Sequence, residues 1–435
     1  MATGTQVWAA DEAAPELEAI WKRRLFGMYL FLVAACSIWA AALHAQSVDS
    51  VIVGDWLINY SGGFVRRGLP GSLVMLLHRG TGAPLPWVAF SLQVSVFLVF
   101  LACVYQLAKG IRWSYLMTAV LLSPATLAFT VLDPTFAGLR KEILLFAALG
   151  VTIWALMSDR LKDRQLSVML SILVVGVTLS HEAMLVVAGP YLFAAVLIHT
   201  MSLRRAIRIC VLPTLLGCIA LVAVVRHHGD LAVTQSICSS LGGQMAAPGV
   251  VSASGGICTG AIASLQLSAS QEHAGIIGWV RASHLTTLYG LLAIPTFAPL
   301  LLMMTRFYRR DGRRFEVAVV LICFLITLPG MAVLFYVGSD WGRWVHLQAI
   351  CLMLLGLMIE RRAVVLSPET EPVKRRFLFH AAATLAVMVY LTVWTLPAIG
   401  TGYQNQGYLS LVSPKYNDAM HDIRSSVAKG LRRTI

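Results

Sequence analysis

The sequence predicts an all-α protein, a polytopic transmembrane helical bundle of about eleven spans with a cytoplasmic N-terminus. Three observations predict it. Of the 435 residues, 58% are hydrophobic and only 13% are charged, against about 25% charged residues in an average soluble chain. Mean hydropathy is +0.75, which excludes an ordinary cytosolic enzyme, a disordered chain or a coiled coil. The apolar residues also fall in runs near the roughly 20 residues that a helix needs to cross a bilayer. A transmembrane barrel would need many short alternating strands, and the sequence shows none.

The runs lie at 25–45, 86–108, 115–132, 143–158, 166–180, 183–199, 209–225, 286–305, 317–337, 347–360 and 377–399. Placing 1–24 in the cytoplasm puts 21 of the 34 Lys and Arg on the cytoplasmic side, and every cytoplasmic connection is basic. This satisfies the positive-inside rule. It also accounts for most of the net charge of +13 without a nucleic-acid partner. The first span is too long for a signal peptide, and Asp11, Glu12, Glu16 and Glu18 precede it, so it is read as uncleaved. The organisation is then a transmembrane domain over 25–399, with outer loops at 46–85 and 226–285 and an outer tail at 400–435. Residues 71–79 read as a short amphipathic helix at the interface. The chain holds no Cys-x-x-Cys pair and no Cys/His zinc spacing. Cys238 and Cys258, in the long outer loop, are placed to form a disulfide in an oxidising compartment.

The ionisable residues of the outer segments carry the functional signal. Asp55, Asn59 and Tyr60 follow the first span, and the adjacent Arg66 and Arg67 run against the positive-inside rule. Arg140, Lys141 and Glu142 stand just before the short fourth span. The apolar stretch 166–199 is interrupted only by His181 and Glu182. As one helix it would be about 51 Å long, too long for a single crossing, so it reads as a hairpin with those two residues at its tip. Asp340 and Arg343 join the ninth and tenth spans, flanked by Trp341 and Trp344. Each cluster has a bland reading: headgroup contact, a helix cap, a hairpin tip, an ion pair, interfacial tryptophans. Ionisable groups near membrane depth are costly and tend to face a cavity, and four such clusters on one side predict a polar cavity open to the outer face.

No P-loop, His-Glu-x-x-His, Gly-x-Ser-x-Gly or dinucleotide fingerprint is present. Arginine forks suit phosphate oxygens, so a lipid-anchored phosphorylated substrate fits. An acidic residue soon after the first span, an interfacial helix before the second and about eleven spans resemble the GT-C superfamily of integral-membrane glycosyltransferases. Layout and size are also similar to bacterial O-antigen and exopolysaccharide polymerases, although their arginine-glycine loop repeat is not matched here.

The resemblance implies an inverting transfer from a polyprenyl-phosphate or polyprenyl-pyrophosphate sugar at the periplasmic face of a bacterial inner membrane. Asp55, at the position matching the family's catalytic acid, would be the base. Many members carry paired acids there, and Trp56 follows Asp55 here, so no divalent metal is indicated. Glu182 is the second candidate base, with His181 tuning it or acting as acid. Arg66, Arg67, Arg140 and Arg343 would bind phosphate, supported by Asn59, Tyr60, Lys141, Glu142 and Asp340. The implied partners are membrane lipids, the lipid-linked saccharide and envelope-polysaccharide export machinery. The alternatives are a transporter or flippase, suggested by short spans and Gly189-Pro190, and a non-enzymatic envelope scaffold.

Overall fold

A computed structural model describes residues 6–134, 138–243, 256–282, 285–309, 311–366 and 377–399. The tail 400–435 and part of the loop 226–285 lie outside the described residues. In chain order the helices are α1 (Gln6–Ser47), α2 (Ile52–Leu57), α3 (Gly68–Thr81), α4 (Leu85–Ala108), α5 (Tyr115–Leu122), α6 (Phe129–Leu132), α7 (Glu142–Ser158) and α8 (Asp163–Ser180). There follow α9 (Ala183–Thr200), α10 (Leu203–Arg226), α11 (Leu231–Ser240), a 3-10 turn (Ala263–Gln266), α12 (Ala269–Ala282), α13 (Leu285–Arg309), α14 (Arg314–Val337), α15 (Trp341–Leu366) and α16 (Phe377–Thr392).

Among the described residues, eight helices are long and apolar enough to cross a membrane, and α7 and part of α16 are shorter apolar helices. The chain is therefore a polytopic helical membrane bundle. The helix α15 is its axis: its apolar window is 100% buried, against 33% for α10, α13 and α14. It packs on α4, α7, α9, α13 and α14. The outer faces of the peripheral helices expose Leu, Ile and Phe, as lipid contact requires.

The expected span 115–132 is not one helix. Ser114 caps α5 by accepting from the Met117 amide (3.2 Å), and α5 stops at Leu122. Pro124 disfavours helical geometry in the residue before it, and Ser123 is extended at φ −53, ψ 138. Thr126 Oγ1 donates toward the freed carbonyls of Val120 (2.9 Å) and Ser123 (3.0 Å). The broken segment still links both ends of the bundle. It begins where Arg306 donates to Ser114 Oγ (3.0 Å) and ends where His44 Nε2 meets the Pro134 carbonyl (2.9 Å).

The span expected at 377–399 is also shorter. Its helix ends at Thr392, and the chain beyond it runs without helix into the head of the bundle. There Ala398 donates to Asp133 Oδ2 (2.8 Å) and accepts from the Gly342 amide (3.2 Å). A Cβ on Gly342 would lie 1.8 Å from the Pro397 carbonyl oxygen, so only glycine lets α15 begin here. Gly342→Ala is expected to cost about 1–3 kcal/mol through forced overpacking. Thermal unfolding of the purified variant in detergent checks it.

The described parts of the Gly- and Ser-rich loop 226–285 carry regular structure. Asp230 caps α11 by accepting from the Val233 amide (2.8 Å), and Cys238 and Cys258 form a disulfide. The loop seats on the segment before α2 through Ala261 N–H to Ser50 O (3.0 Å). Ile58, Val65, Ile237, Ile262 and Leu265 form a small apolar core around the disulfide. Changing both cysteines to Ser is expected to destabilise the loop by about 2–4 kcal/mol. Faster proteolysis of the double variant between α10 and α13, relative to wild type, measures this.

Candidate functional site

The four clusters predicted from sequence meet at one end of the bundle. Trp56 on α2 donates its indole N–H to the Leu139 carbonyl (3.0 Å). This contact binds α2 to the turn before α7 and sets Asp55 against Lys141. The Lys141 ammonium lies 3.3 Å from Asp55 Oδ1, and the two side chains are 0% and 1% exposed. Lys141 also donates to the Arg67 carbonyl (3.0 Å). Arg67 adopts the left-handed backbone conformation, φ 66, at the start of α3. One ammonium therefore holds both the buried carboxylate and a turn that most residues avoid.

Both carboxylate oxygens of Asp55 are buried without an aligned hydrogen bond. Burial opposes its charge, but Lys141, Arg140 and Arg67 outweigh that and hold the carboxyl well below its usual range. Burial pulls the Lys141 ammonium down to about 8, with Asp55 partly restoring it and Arg67 lowering it further. A lysine of depressed folded pKa is protonated more readily in the unfolded chain. Stability should therefore rise as pH increases from about 8 toward the unfolded value of 10.5. Lys141→Met should remove that rise, and chemical denaturation across this pH window reads it.

Glu182 is differently placed. Its carboxylate takes the Arg67 fork, with Nε 3.1 Å from Oε2 and the terminal nitrogen 2.8 Å from Oε1. Arg66 adds a contact to Oε1 (3.5 Å). Burial again opposes the charge, yet Arg67 drives this carboxyl well below its ordinary value. Glu182 is committed to arginine through aligned hydrogen bonds, which Asp55 lacks. His181 lies 4.0 Å from Glu182. Burial, reinforced by Arg67, keeps its imidazole neutral, so it offers a hydrogen-bonding ring rather than an acid.

The second half of the site is built by α7 and α15. Arg343 reaches Glu142 and Asp340 together, and its guanidinium lies 5.2 Å over the Trp344 ring. Arg140 stands 4.0 Å from Asp340. The Nε atoms of Arg140 and Arg343 are buried without acceptors. Between these arginines, Phe129 and His346 lies a cavity with room for water but not for a sugar.

Two predicted residues have other work. Asn59 donates to Leu57 O and Ser240 Oγ and accepts from the Ser61 amide, so it fastens the loop. Tyr60 stacks on Phe64 at 5.3 Å; its hydroxyl is buried without a partner, and burial pushes it up to about 12. Sequence reasoning missed Glu272, which α12 brings to 3.7 Å from Arg66, because nothing in a Ser- and Ala-rich loop marks one carboxylate. It also gave no role to His346, which stacks on Phe129 at 4.1 Å and contacts the Ala125 carbonyl at 2.8 Å. Among the described residues no group of three or more His, Cys, Asp or Glu could hold a metal ion.

Fold and site thus define a multispan membrane protein with a buried, charge-balanced cluster at one end of its bundle. The chain belongs to the family described as uncharacterised membrane protein Rv1490, whose sequence model matches residues 24–287. That match takes in Asp55, the Arg66-Arg67 pair, Arg140 to Glu142, His181, Glu182 and both disulfide cysteines. It ends before Asp340 and Arg343. No curated protein and no solved structure matches the chain.

Proposed function

We propose that this protein is a membrane glycosyltransferase that uses a polyprenyl-phosphate or polyprenyl-pyrophosphate saccharide in bacterial cell-envelope synthesis, acting at the periplasmic side of the inner membrane. The observation that carries the reading is Asp55: an ionised carboxylate, 1% exposed, with both oxygens free of aligned donors among Lys141, Arg67 and Arg140. A buried carboxylate without an aligned donor beside phosphate-binding cations suits hydroxyl attack on a glycosyl phosphate; a bound phosphate would take up those cations and lift the carboxyl from its depressed resting value.

In this reading the acceptor hydroxyl gives its proton to Asp55 as its oxygen bonds to the anomeric carbon. The bond from that carbon to the phosphate oxygen breaks, and the electron pair leaves with the phosphate. Arg67, Arg140 and Arg343 stabilise the charge that grows there, and the neutral His181 ring orients a hydroxyl. The lipid tail lies among apolar helices, with α3 at the interface. Because Asp55 is 1% exposed, substrate entry requires the elements packed around it to move apart.

The experiment is mass spectrometry of the polyprenyl-linked saccharide pool in a deletion strain, complemented with wild type or with Asp55→Asn. The reading expects one lipid-linked saccharide to accumulate in the deletion and to be cleared by wild type alone. Equal pools in all three strains would overturn it and favour transport of another substrate.

A further inference from the structure

A second polar cage lies at the opposite end of the bundle, about 26 Å along α15 from Arg343 at the helical rise. It is built where α4, α13 and α15 end. Glu360 on α15 has a side chain 0% exposed. Its Oε1 faces two guanidiniums at long range, Arg306 at 3.5 Å and Arg112 at 3.7 Å. Arg306 also donates to Ser114 Oγ (3.0 Å). The neighbouring Arg361 donates to the Gln106 carbonyl.

The cage leaves polar atoms of both signs unmet. Among the described residues, Glu360 Oε2 is a buried acceptor without an aligned donor and Trp113 Nε1 a buried donor without an acceptor; Arg112 Nε meets Glu360 Oε1 only at 3.7 Å, and the Arg112 backbone N–H also faces the carboxylate. Unpaired buried polar atoms are costly. Neither guanidinium takes the bidentate register common for arginine and carboxylate; both approach Oε1, Arg306 through a long hydrogen bond of 3.5 Å. The arginines call for an anion, and Glu360 Oε2 calls for a donor attached to it. The arginine side chains are 28% and 23% exposed, so the cage is open on its arginine side.

We propose that this cage is a binding site for a phosphate ester bearing an ammonium group, and that its occupant is the headgroup of phosphatidylethanolamine. The phosphate lies against Arg112 and Arg306, and the ammonium donates to Glu360 Oε2. The inference does not depend on the chemistry proposed at Asp55. Phosphatidylcholine has the same charges but no N–H, so the two lipids separate the proposal from simple attraction of phosphate to arginine.

The test uses the full chain in nanodiscs of mixed lipid, with native mass spectrometry of retained lipids. Wild type is expected to retain phosphatidylethanolamine over phosphatidylcholine by about tenfold, the worth of one hydrogen bond to a charged group. Glu360→Gln should abolish that ratio while phosphatidylglycerol is still retained, and Arg306→Gln should weaken retention of both zwitterionic lipids. Millimolar phosphoethanolamine separates the sources: displacement of the lipid means a soluble phosphoamine suffices, and persistence means the acyl chains are required. A wild-type ratio near one overturns the proposal, and this measurement stands without the variants.

Discussion

Asp55→Asn is expected to abolish transfer and also to unsettle the fold. The amide cannot take the acceptor proton, and loss of a positioned general base costs about 10²–10⁴-fold in rate. The same change leaves the Lys141 ammonium without its counter-charge in a site where both side chains are essentially unexposed. Breaking a buried pair from one side costs about 3–5 kcal/mol, moderated here because Lys141 can lose its proton. The double change Asp55→Asn with Lys141→Met separates the two effects. It removes both charges, so unfolding in detergent should return most of the way to wild type. Transfer should stay lost. Recovery of both together would mean that Asp55 serves only to balance Lys141.

The second large effect is expected at the Arg67–Glu182 fork. Arg67→Ala removes two close hydrogen bonds from Glu182 and leaves a carboxylate only 17% exposed with the long Arg66 contact alone, a loss toward the lower end of the roughly 3–5 kcal/mol for breaking a buried pair. It should also abolish binding of the phosphate-bearing donor. Arg67→Lys should not restore that binding, because an ammonium cannot reproduce a planar fork. Glu182→Gln separates the structural part from the binding part. It weakens the fork but frees both arginines, so affinity for inorganic pyrophosphate, measured by calorimetry, should rise while stability falls. If pyrophosphate affinity is the same in wild type, Arg67→Ala and Glu182→Gln, these arginines serve the fold alone.

Much of the bundle was legible because transmembrane crossing is a local property of a run of residues. The hairpin at His181-Glu182 followed from length alone, since 166–199 was too long for one crossing, and α8 and α9 meet there. The helix expected at 71–79 lies within α3. The expected spans failed where one residue outweighs average hydropathy: Pro124 breaks 115–132, and α16 stops at Thr392 before the non-helical run to Ala398. The candidate site was legible as a set of charges on one side, because charge at membrane depth is rare enough to stand out. Its pairings were not. Nothing local says that Asp55 meets Lys141 while Arg67 meets Glu182, since segments far apart in the chain supply each partner. Glu272 reaches Arg66 through α12, a helix within the stretch 226–285 that was expected only as a loop.

The role proposed for Asp55 is to accept the proton of a hydroxyl attacking a lipid-linked sugar. It is tested most directly with purified protein in liposomes containing radiolabelled polyprenyl-phosphate-linked saccharides from the deletion strain, comparing wild type with the Asp55→Asn, Lys141→Met double variant. Wild type is expected to move label from the polyprenyl lipid into a glycosidic product, and the folded double variant to leave the label on the lipid. Equal transfer by both proteins, or none by wild type on the lipid it clears in cells, would contradict it.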